Sequence, residues 1–357
     1  MAKKKVVAIG CDGIGPEVVD AACHILQGAN FNLDLVRCYG GDEAISKGLE
    51  PFSEDVRTQI DGSDAVLFGS HIINGYPVLM HLRFTNDNYV NMRPVKYYEG
   101  MNSPLKDPKG LDFVFLRELS EGLYPGREGD LEDLARRLPD SVDRSGRKLT
   151  DFGAGKYAIK VISKKACERM AKFTCEFAIQ RMKDGYPGKV TCVTKSNLFL
   201  ETDVLFEKTI EDEVKKHPEL TYEHYLVDNM NRLMLIRPRD FDVIVAVNEY
   251  GDILTDAAAE IGGGLGLMGT GGFGGKVPYF ESAHGAAPDI AGKNIANPTA
   301  TVFASKYMLD YLGMKEEANS LEKAIAAVYK QGDSLTPDQG GTATTKELAE
   351  AILRKIR

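Results

Sequence analysis

Hydrophobic positions along the chain fall into short, continuous apolar runs separated by amphipathic stretches. The apolar runs are typical of buried strands: VVAIG (6–10), DAVLFGS (64–70), LDFVFLRE (111–118), KVTCVTKSN (189–197) and FDVIVAVN (241–248). Residues 16–26 predict a helix, because their apolar side chains recur at helical spacing and Pro16 suits a first helical turn. This alternation predicts an α/β fold.

Two further segments stand out from this alternation. Residues 125–156 are charged and glycine-rich and lack a strong apolar period, so we predict an excursion from the body: an arm, a lid or an oligomer contact. The terminal stretch KELAEAILRKIR (346–357) places Leu348, Ile352 and Ile356 on one side, which predicts a packed helix.

Length and charge narrow the classes of function. A chain of 357 residues is long enough for two domains. Its 52 acidic and 44 basic residues give a net charge of −8, which disfavours non-specific binding to nucleic acid. An anionic substrate would therefore need a local cluster of cationic side chains.

The cysteines and the longest apolar runs indicate the cellular compartment that we expect for the protein. The six cysteines are scattered without a C-x-x-C pair or a zinc-type spacing, which favours buried thiols in a reducing cytoplasm. No apolar run reaches about 18 residues and the first residues contain no secretory h-region, so neither a membrane partner nor secretion is expected.

Polar residues follow three of the predicted strands. Arg117 and Glu118 end one strand, Lys195 and Asn197 end another, and the strand at 241–248 continues into NEYGDILTD. Ligands in open α/β sheets gather beyond the carboxyl ends of strands, so we predict a common site there.

Asp252 and Asp256 lie four residues apart at the start of an alanine-rich helix, so both carboxylates project from one face. Such a pair repels unless a cation joins it, which favours Mg²⁺ or Mn²⁺, with Asp228 as a candidate third ligand. The alternative is that these acids only complement the helix dipole, which accounts for Asp252 better than for Asp256.

Cationic side chains that could bind an anion occur in two other motifs. Arg83 and Arg93 are ten residues apart in LRFTNDNYVNMRP, and with Arg117 they could form a clamp for carboxylates, although each could instead be a surface arginine. Tyr124, seven residues after Arg117, is a candidate proton donor.

Three glycine-containing loops complete the candidate chemistry. GCDGIGPE (10–17) follows the first strand but lacks the G-x-G-x-x-G spacing, so a Rossmann domain is not predicted. The stretch 262–275 allows close backbone approach without matching a phosphate-binding loop, and 284–298 has the composition of a loop shaped around a ligand.

Several motifs, in order along nearly the whole chain, resemble the isocitrate/isopropylmalate dehydrogenase family of metal-dependent β-decarboxylating dehydrogenases. They are DGIGPE, YVNMRP, RELSEGLY, VTKSN, VDNM, FDVIVAVNEYGDILTD and HGAAPDIAGKNIANPTA. The resemblance implies two intertwined α/β lobes that share a mixed sheet, with the site between them. Residues 1–98 and 251–357 would form the large, cofactor-side lobe, and 99–250 the small lobe, whose arm at about 125–156 clasps a second subunit.

The resemblance also implies how the substrate is held. Arg83, Arg93 and Arg117 would bind the carboxylates of a (2R)-malate-type 2-hydroxy dicarboxylate. Residues 76–80, including Leu79 and Met80, would form an apolar wall against the group on the third carbon of the substrate. Such a wall favours a small or alkyl group, as in 3-isopropylmalate, D-malate or tartrate.

Catalytic and metal roles follow by the same resemblance. Tyr124 would protonate the product, and Lys195, with Asp228 beside it, would help to remove the hydroxyl proton. In this family Lys195 and Asp228 reach the site from the partner subunit, which implies a homodimer or a higher homo-oligomer. Asp228, Asp252 and Asp256 would bind Mg²⁺ or Mn²⁺.

The cofactor implied by the resemblance is NAD. Its candidate contacts are Ile14, Glu281, His284, Gly285, Asp289, Ile290 and Asn297. Asp289 would suit the ribose hydroxyls of NAD and repel the 2′-phosphate of NADP. The expected reaction is thus an NAD-dependent oxidative decarboxylation.

Two alternatives remain beside this reaction. The segments VISKKACERM and TPDQGGTATT are similar to the homoisocitrate and NAD-isocitrate branch, and His81 could bind a further carboxylate, so isocitrate or homoisocitrate is the alternative substrate. Some relatives are regulatory subunits without activity. The retention of Tyr124, Lys195, the arginines and the aspartates disfavours that alternative.

Overall fold

A computed structural model describes residues 3–356 of the chain. The strands are β1 (Lys4–Cys11), β2 (Leu33–Cys38), β3 (Ala65–Ser70), β4 (Val90–Lys96), β5 (Asp112–Glu118), β6 (Glu128–Asp130), β7 (Lys156–Ala158), β8 (Lys189–Thr194), β9 (Thr221–Leu226), β10 (Val243–Ala246), β11 (Gly269–Phe273) and β12 (Tyr279–Ser282). The predicted buried runs all appear among them.

The helices connect these strands and cover the sheet. They are α1 (Gly15–Gly28), α2 (Gly41–Ser46), α3 (Glu54–Asp61), α4 (Tyr76–Met80), α5 (Leu131–Arg137), α6 (Lys164–Lys183), α7 (Thr202–Val214), α8 (Val227–Ile236), α9 (Asn248–Gly262), α10 (Thr299–Tyr311), α11 (Lys315–Gln331) and α12 (Thr345–Ile356). Helix α4 continues into one wider π-type turn, His81–Thr85. Within residues 3–356, no helix is both long enough and apolar enough to cross a membrane.

The main sheet is mixed and has the strand order β2-β1-β3-β12-β11-β4-β5-β10-β8-β9. Its two flanks are parallel, whereas β11 pairs antiparallel with both β12 and β4, and β4 pairs antiparallel with β5. The chain therefore builds one flank, crosses at β4 and β5 to build the other, and returns through β11 and β12. The predicted α/β class with a mixed sheet is confirmed.

Burial explains why the strands read as continuous apolar runs. Strands β3 and β10 are buried along their whole lengths, because helices cover both faces of the sheet. On one face Leu67 joins a core with Ile25 of α1, and on the other face Phe68 joins a core with Leu79 of α4.

The segment 125–156 and its flanks lie outside the main sheet. Strands β6 and β7 pair antiparallel in a separate two-stranded sheet, and α5 connects to it. Leu138, Val142 and Phe152 expose half or more of their surface here. The proposed clasping of a second subunit by this segment stays a prediction.

Candidate active site

A cavity of about 250 Å³ opens beside the central strands of the sheet. Its lining comprises Gly69, Ser70, His71, Arg83, Arg93, Arg117, Tyr124, Asp252, Glu281, Ser282, Ala283, His284 and Gly285. Eight of these residues were predicted from the sequence as substrate, catalytic, metal or cofactor residues. The remainder come from β3, from β12 and from the residues that follow these strands.

Arg93 and Arg117 lie on neighbouring strands, β4 and β5, and are almost fully buried, at 5% and 3% exposure. Nη1 of Arg93 donates to the hydroxyl of Thr255 at 2.6 Å, and its Nη2 lies 3.2 Å from Oδ1 of Asp252. Nη1 of Arg117 pairs with the same Asp252 oxygen. Burial and the neighbouring Arg93 lower the pKa of Arg117, against the opposing charge of Asp252.

Arg83 completes the cationic wall from the π-type turn after α4. Its Nε donates to the hydroxyl of Tyr279 at 3.0 Å, and its Nη2 to Oε1 of Glu281 at 3.1 Å. Burial opposes the charge, but Tyr279 and Glu281 outweigh it and raise the pKa of Arg83. With two carboxylates, Asp252 and Glu281, facing three guanidinium groups, the lining keeps an excess of positive charge that suits a dianion.

Tyr124 lines the cavity and is 47% exposed. The guanidinium of Arg117 lies 5.5 Å from the centre of its ring. Partial burial, and then the charge of Asp252, raise the pKa of Tyr124 above its ordinary value. The phenol therefore keeps its proton at neutral pH and is able to donate it.

Asp252 and Asp256 project from α9, one helical turn apart. Burial raises the pKa of Asp256, Arg93 lowers it, and Asp252 raises it again. Two such carboxylates fit part of the oxygen shell of a hard divalent cation. No group of three His, Cys, Asp or Glu residues with metal-binding geometry occurs within 3–356, so one chain does not bring Asp228 to this pair.

Lys195 and Asp228 form an ion pair with each other, away from the lining of the cavity. Lys195 follows β8 and Asp228 lies in the first turn of α8, where 64% of its side chain is exposed. The prediction that residues at three strand ends share one site holds for Arg117 and the α9 motif. Within one chain it does not hold for Lys195.

The residues predicted to bind the cofactor surround the first turn after β1 and the loop after β12. The N–H of Ile14 donates to the carbonyl of Ala286 at 2.8 Å, and a Cβ on Gly13 would lie 2.0 Å from that oxygen. Because Gly13 has a φ of +57°, only glycine fits this close approach without strain.

His284 offers a polar atom for a ligand at this loop. Its Nδ1 lies 2.9 Å from the carbonyl of Gly285, whereas its Nε2 is buried without a hydrogen-bond partner. Burial lowers the pKa of His284, so the ring is neutral at pH 7. An unpaired buried nitrogen at the edge of the cavity fits a bound polar group such as a dinucleotide.

Two other cofactor candidates differ in their availability. Asp289 is exposed on a short 3₁₀ turn, Pro288–Ile290, where its carboxylate is free to meet a ligand. Asn297 is 7% exposed, and its amide donates to Tyr329 at 3.1 Å and to Asp338 at 2.9 Å. Its side chain therefore shapes the loop from within.

Leu79 and Met80, which were expected in an apolar wall around the substrate, are not among the residues that line the cavity. Leu79 is 1% exposed and packs into the core with Phe68 and Tyr279, and Met80 packs against that core. His81, considered as a ligand for a further carboxylate, does not line the cavity either: it is buried, and its Nε2 lies 2.8 Å from Oδ1 of Asp61. Helix α4 turns these side chains inward because its apolar face covers the sheet.

Five residues that line the cavity were not predicted from the sequence: Gly69, Ser70, His71, Ser282 and Ala283. Ser70 ends β3 and His71 follows it, and the ring of His71 stacks on Phe68 at 6.4 Å. The rule that ligands gather beyond the carboxyl ends of strands would have identified both, because the run 64–70 was already predicted as a strand.

Comparison with known proteins assigns the chain to one family. The family model "Isocitrate/isopropylmalate dehydrogenase" matches residues 5–352. A 3-isopropylmalate/3-methylmalate dehydrogenase of Methanocaldococcus jannaschii is 39% identical, with 99% of each chain covered. An isocitrate/homoisocitrate dehydrogenase of Thermus thermophilus is 36% identical, with 99% of this chain and 98% of the relative covered.

The architecture agrees with this match. The crystal structure of isocitrate dehydrogenase from Methylococcus capsulatus superimposes with a TM-score of 0.85 at 31% identity, covering 99% of both chains.

Proposed function

The chain belongs to the isocitrate/isopropylmalate dehydrogenase family, and we propose that it uses NAD and Mg²⁺ or Mn²⁺ to oxidise and decarboxylate a (2R)-malate-type 2-hydroxy dicarboxylate. The observation that carries the proposal is the convergence of Arg83, Arg93 and Arg117 with Asp252 on one cavity. An acidic chain that concentrates three guanidinium groups at one cavity, two of them buried and that of Arg83 half-buried, is suited to an anionic substrate.

The arginines would bind and orient the substrate. Arg93 and Arg117 now share the carboxylate of Asp252, so a substrate carboxylate would replace one charge partner with another. That exchange would release Asp252 toward a cation held together with Asp256. Asp228 of the partner subunit would complete the protein ligands in this proposal.

The bound groups would supply hydride acceptance from the second carbon by NAD and Lewis-acid polarisation of the oxygen there by the cation. The other steps belong to the side chains. Lys195, oriented by Asp228, would remove the proton from the substrate hydroxyl. Tyr124 would donate a proton to the third carbon after CO₂ leaves, and its raised pKa suits that donor role.

The cofactor would lie along the loop after β12. His284 and Gly285 line the cavity beside Glu281. The turn after β1 contacts the loop after β12 through the hydrogen bond from Ile14 to Ala286. Asp289 and Ile290 would then meet the adenosine half of the cofactor, and Asn297 would hold their loop in shape. An exposed carboxylate at Asp289 favours NAD over NADP by charge repulsion.

A homodimer with shared active sites would supply what one chain does not bring together. Lys195 and Asp228 lie outside the cavity of their own chain. This supports the proposal that they contribute to the cavity of a partner subunit. We place the enzyme in the cytoplasm, because all six cysteines are unpaired thiols and five of them are buried.

The group on the third carbon separates two candidate substrates. The relatives named as 3-isopropylmalate dehydrogenases, at 32–39% identity over nearly the full length, favour the 3-isopropylmalate type. His71, which lines the cavity where Leu79 does not, favours a polar group, as in isocitrate or homoisocitrate.

The test is NADH formation by the purified enzyme with Mn²⁺. The panel contains 3-isopropylmalate, D-malate, tartrate, isocitrate and homoisocitrate, and each is run with NAD and with NADP. We expect turnover with a 3-substituted malate and a preference for NAD. Absence of turnover with every member would overturn the enzymatic proposal, and a preference for NADP would overturn the role of Asp289.

A further inference from the structure

Lys160 is a buried cation between two buried carboxylates. It follows β7, and its Nζ lies 2.7 Å from Oδ1 of Asp203 and 2.8 Å from Oε1 of Glu249. The three side chains are 8%, 0% and 8% exposed, respectively. The rings of Phe199 and Tyr250 enclose the ammonium, each with its centre 4.7 Å from Nζ.

Asp203 links this cation to Lys195. One oxygen of Asp203 pairs with Lys160, and the other accepts the backbone N–H of Lys195 at 2.7 Å. Asp203 lies in the first turn of α7, and residues 195–201 connect that helix to β8. The backbone position of Lys195 is thus fixed by a carboxylate whose own position depends on Lys160.

Glu249 links the same cation to the start of α9. It stands three residues before Asp252 and directly after Asn248, which holds Arg117. A Cβ on Gly122 would lie 2.4 Å from Oε2 of Glu249, so the loop that leads to Tyr124 also packs against this carboxylate. Three elements that carry proposed catalytic groups therefore meet at one buried ammonium.

A buried ion pair adds little net stability, because desolvation offsets most of the attraction. The pair matters more for the positions of its side chains. When one partner is removed, the remaining buried charge is unpaired, so its side chain shifts, becomes hydrated or is protonated. Here removal of Lys160 leaves two such carboxylates: Asp203, which accepts the backbone N–H of Lys195, and Glu249 in the first turn of α9.

We infer that Lys160 is a positioning residue, which sets Lys195 through Asp203 and the start of α9, with Asp252, through Glu249. The inference rests on the proposed function, which assigns the roles of Lys195 and Asp252. Because Lys195 would serve the partner's cavity and Asp252 its own, Lys160 joins the two active sites of a dimer through one side chain.

The test compares Lys160→Met with Lys306→Met. Lys306 is a matched control, since it is 15% exposed and bridges Asp310 at 2.9 Å and Glu322 at 3.2 Å, outside the cavity. With the best substrate of the panel, Lys160→Met should lower kcat at least about tenfold and change KM by less than about threefold. Lys306→Met should lose stability in urea yet keep kcat within about threefold of the wild type.

A third variant separates the effect of Lys160 on the positions of the catalytic groups from its effect on the stability of the protein. Lys160→Met combined with Asp203→Asn and Glu249→Gln leaves no unpaired buried charge, so its stability should recover while kcat stays low. It carries the test alone if Lys160→Met does not fold. A kcat that recovers with stability, or a kcat near that of the wild type in the folded Lys160→Met enzyme, would overturn the inference. An inactive wild type would instead refute the proposed function.

Discussion

Arg117 donates two hydrogen bonds to a single oxygen of Asn248, from Nε at 3.0 Å and from Nη2 at 2.8 Å. The amide of Asn248 in turn donates to the carbonyls of Leu119 at 3.2 Å and Glu121 at 2.9 Å. The plane of the guanidinium is therefore set before a substrate arrives, and Nη1 is directed toward Asp252. Such preorganisation lowers the entropic cost of binding an anion.

Arg117→Lys should lower kcat/KM for the dicarboxylate about tenfold to a hundredfold. A lysine keeps the charge but loses the fork, and hydrogen bonds to charged groups contribute about 1.5–3 kcal/mol each. Steady-state NADH formation measures the effect. Arg354→Lys, on the exposed face of α12, is the control and should match the wild type. A normal kcat/KM in Arg117→Lys would exclude the clamp.

Asp256→Asn should raise the Mn²⁺ concentration for half-maximal activity at least about tenfold, because an amide oxygen binds a hard cation less strongly than a carboxylate does. Asp256 is preferred to Asp252 here, since Asp252 also neutralises Arg93 and Arg117. Titration of activity and of Mn²⁺ binding provides the measurement. Glu260→Gln, one turn further along α9 and exposed, should bind Mn²⁺ normally. Unchanged Mn²⁺ affinity in Asp256→Asn would remove it from the proposed metal site.

Mixed dimers test whether the active site is shared. Lys195→Met and Asp252→Asn should each give an inactive homodimer, because every cavity then lacks one group. Heterodimers of the two variants should regain about half of the wild-type turnover, since both defects fall in the same cavity and the other stays intact. Differently tagged subunits allow the heterodimer to be isolated. If the heterodimer stays as inactive as both parents, Lys195 serves its own chain.

Stability should depend on pH through Glu322. Burial alone would raise the pKa of Glu322, but Lys306 and Lys96 outweigh it and lower the pKa from 4.5 to about 2. A carboxylate with a depressed pKa stabilises the folded state above pH 4.5, and this contribution is lost as the pH falls toward 2. Glu322→Gln should therefore cost about 2–3 kcal/mol at pH 7, and the difference from the wild type should shrink below pH 4.5.

Urea unfolding at pH 7 and at pH 3 measures this difference. Glu316→Gln, exposed on the same helix α11, is the matched control and should be neutral at both values. A destabilisation by Glu322→Gln that is the same at both values would show that packing, not charge, is what the carboxylate supplies.

Much of the architecture could be predicted from periodicity, because each buried strand reads as a local apolar run. The helix expected at 16–26 forms at Gly15–Gly28, and the five expected strands all form. The order of the strands in the sheet, in contrast, could not be predicted from periodicity. The pairing of β11 with β4 joins residues about 180 positions apart, and no local pattern encodes such a contact.

The candidate site divides in the same way. The sequence alone determined the chemical groups, since guanidinium, carboxylate and phenol side chains in ordered motifs already indicated an anion and a cation. Only the tertiary structure decided which of them meet. It turned Leu79 and His81 into the core, placed Lys195 outside its own cavity and set Lys160 between Asp203 and Glu249. The physical reason is that packing against residues distant in sequence decides whether a side chain is buried or lines the cavity. No local pattern encodes those distant contacts.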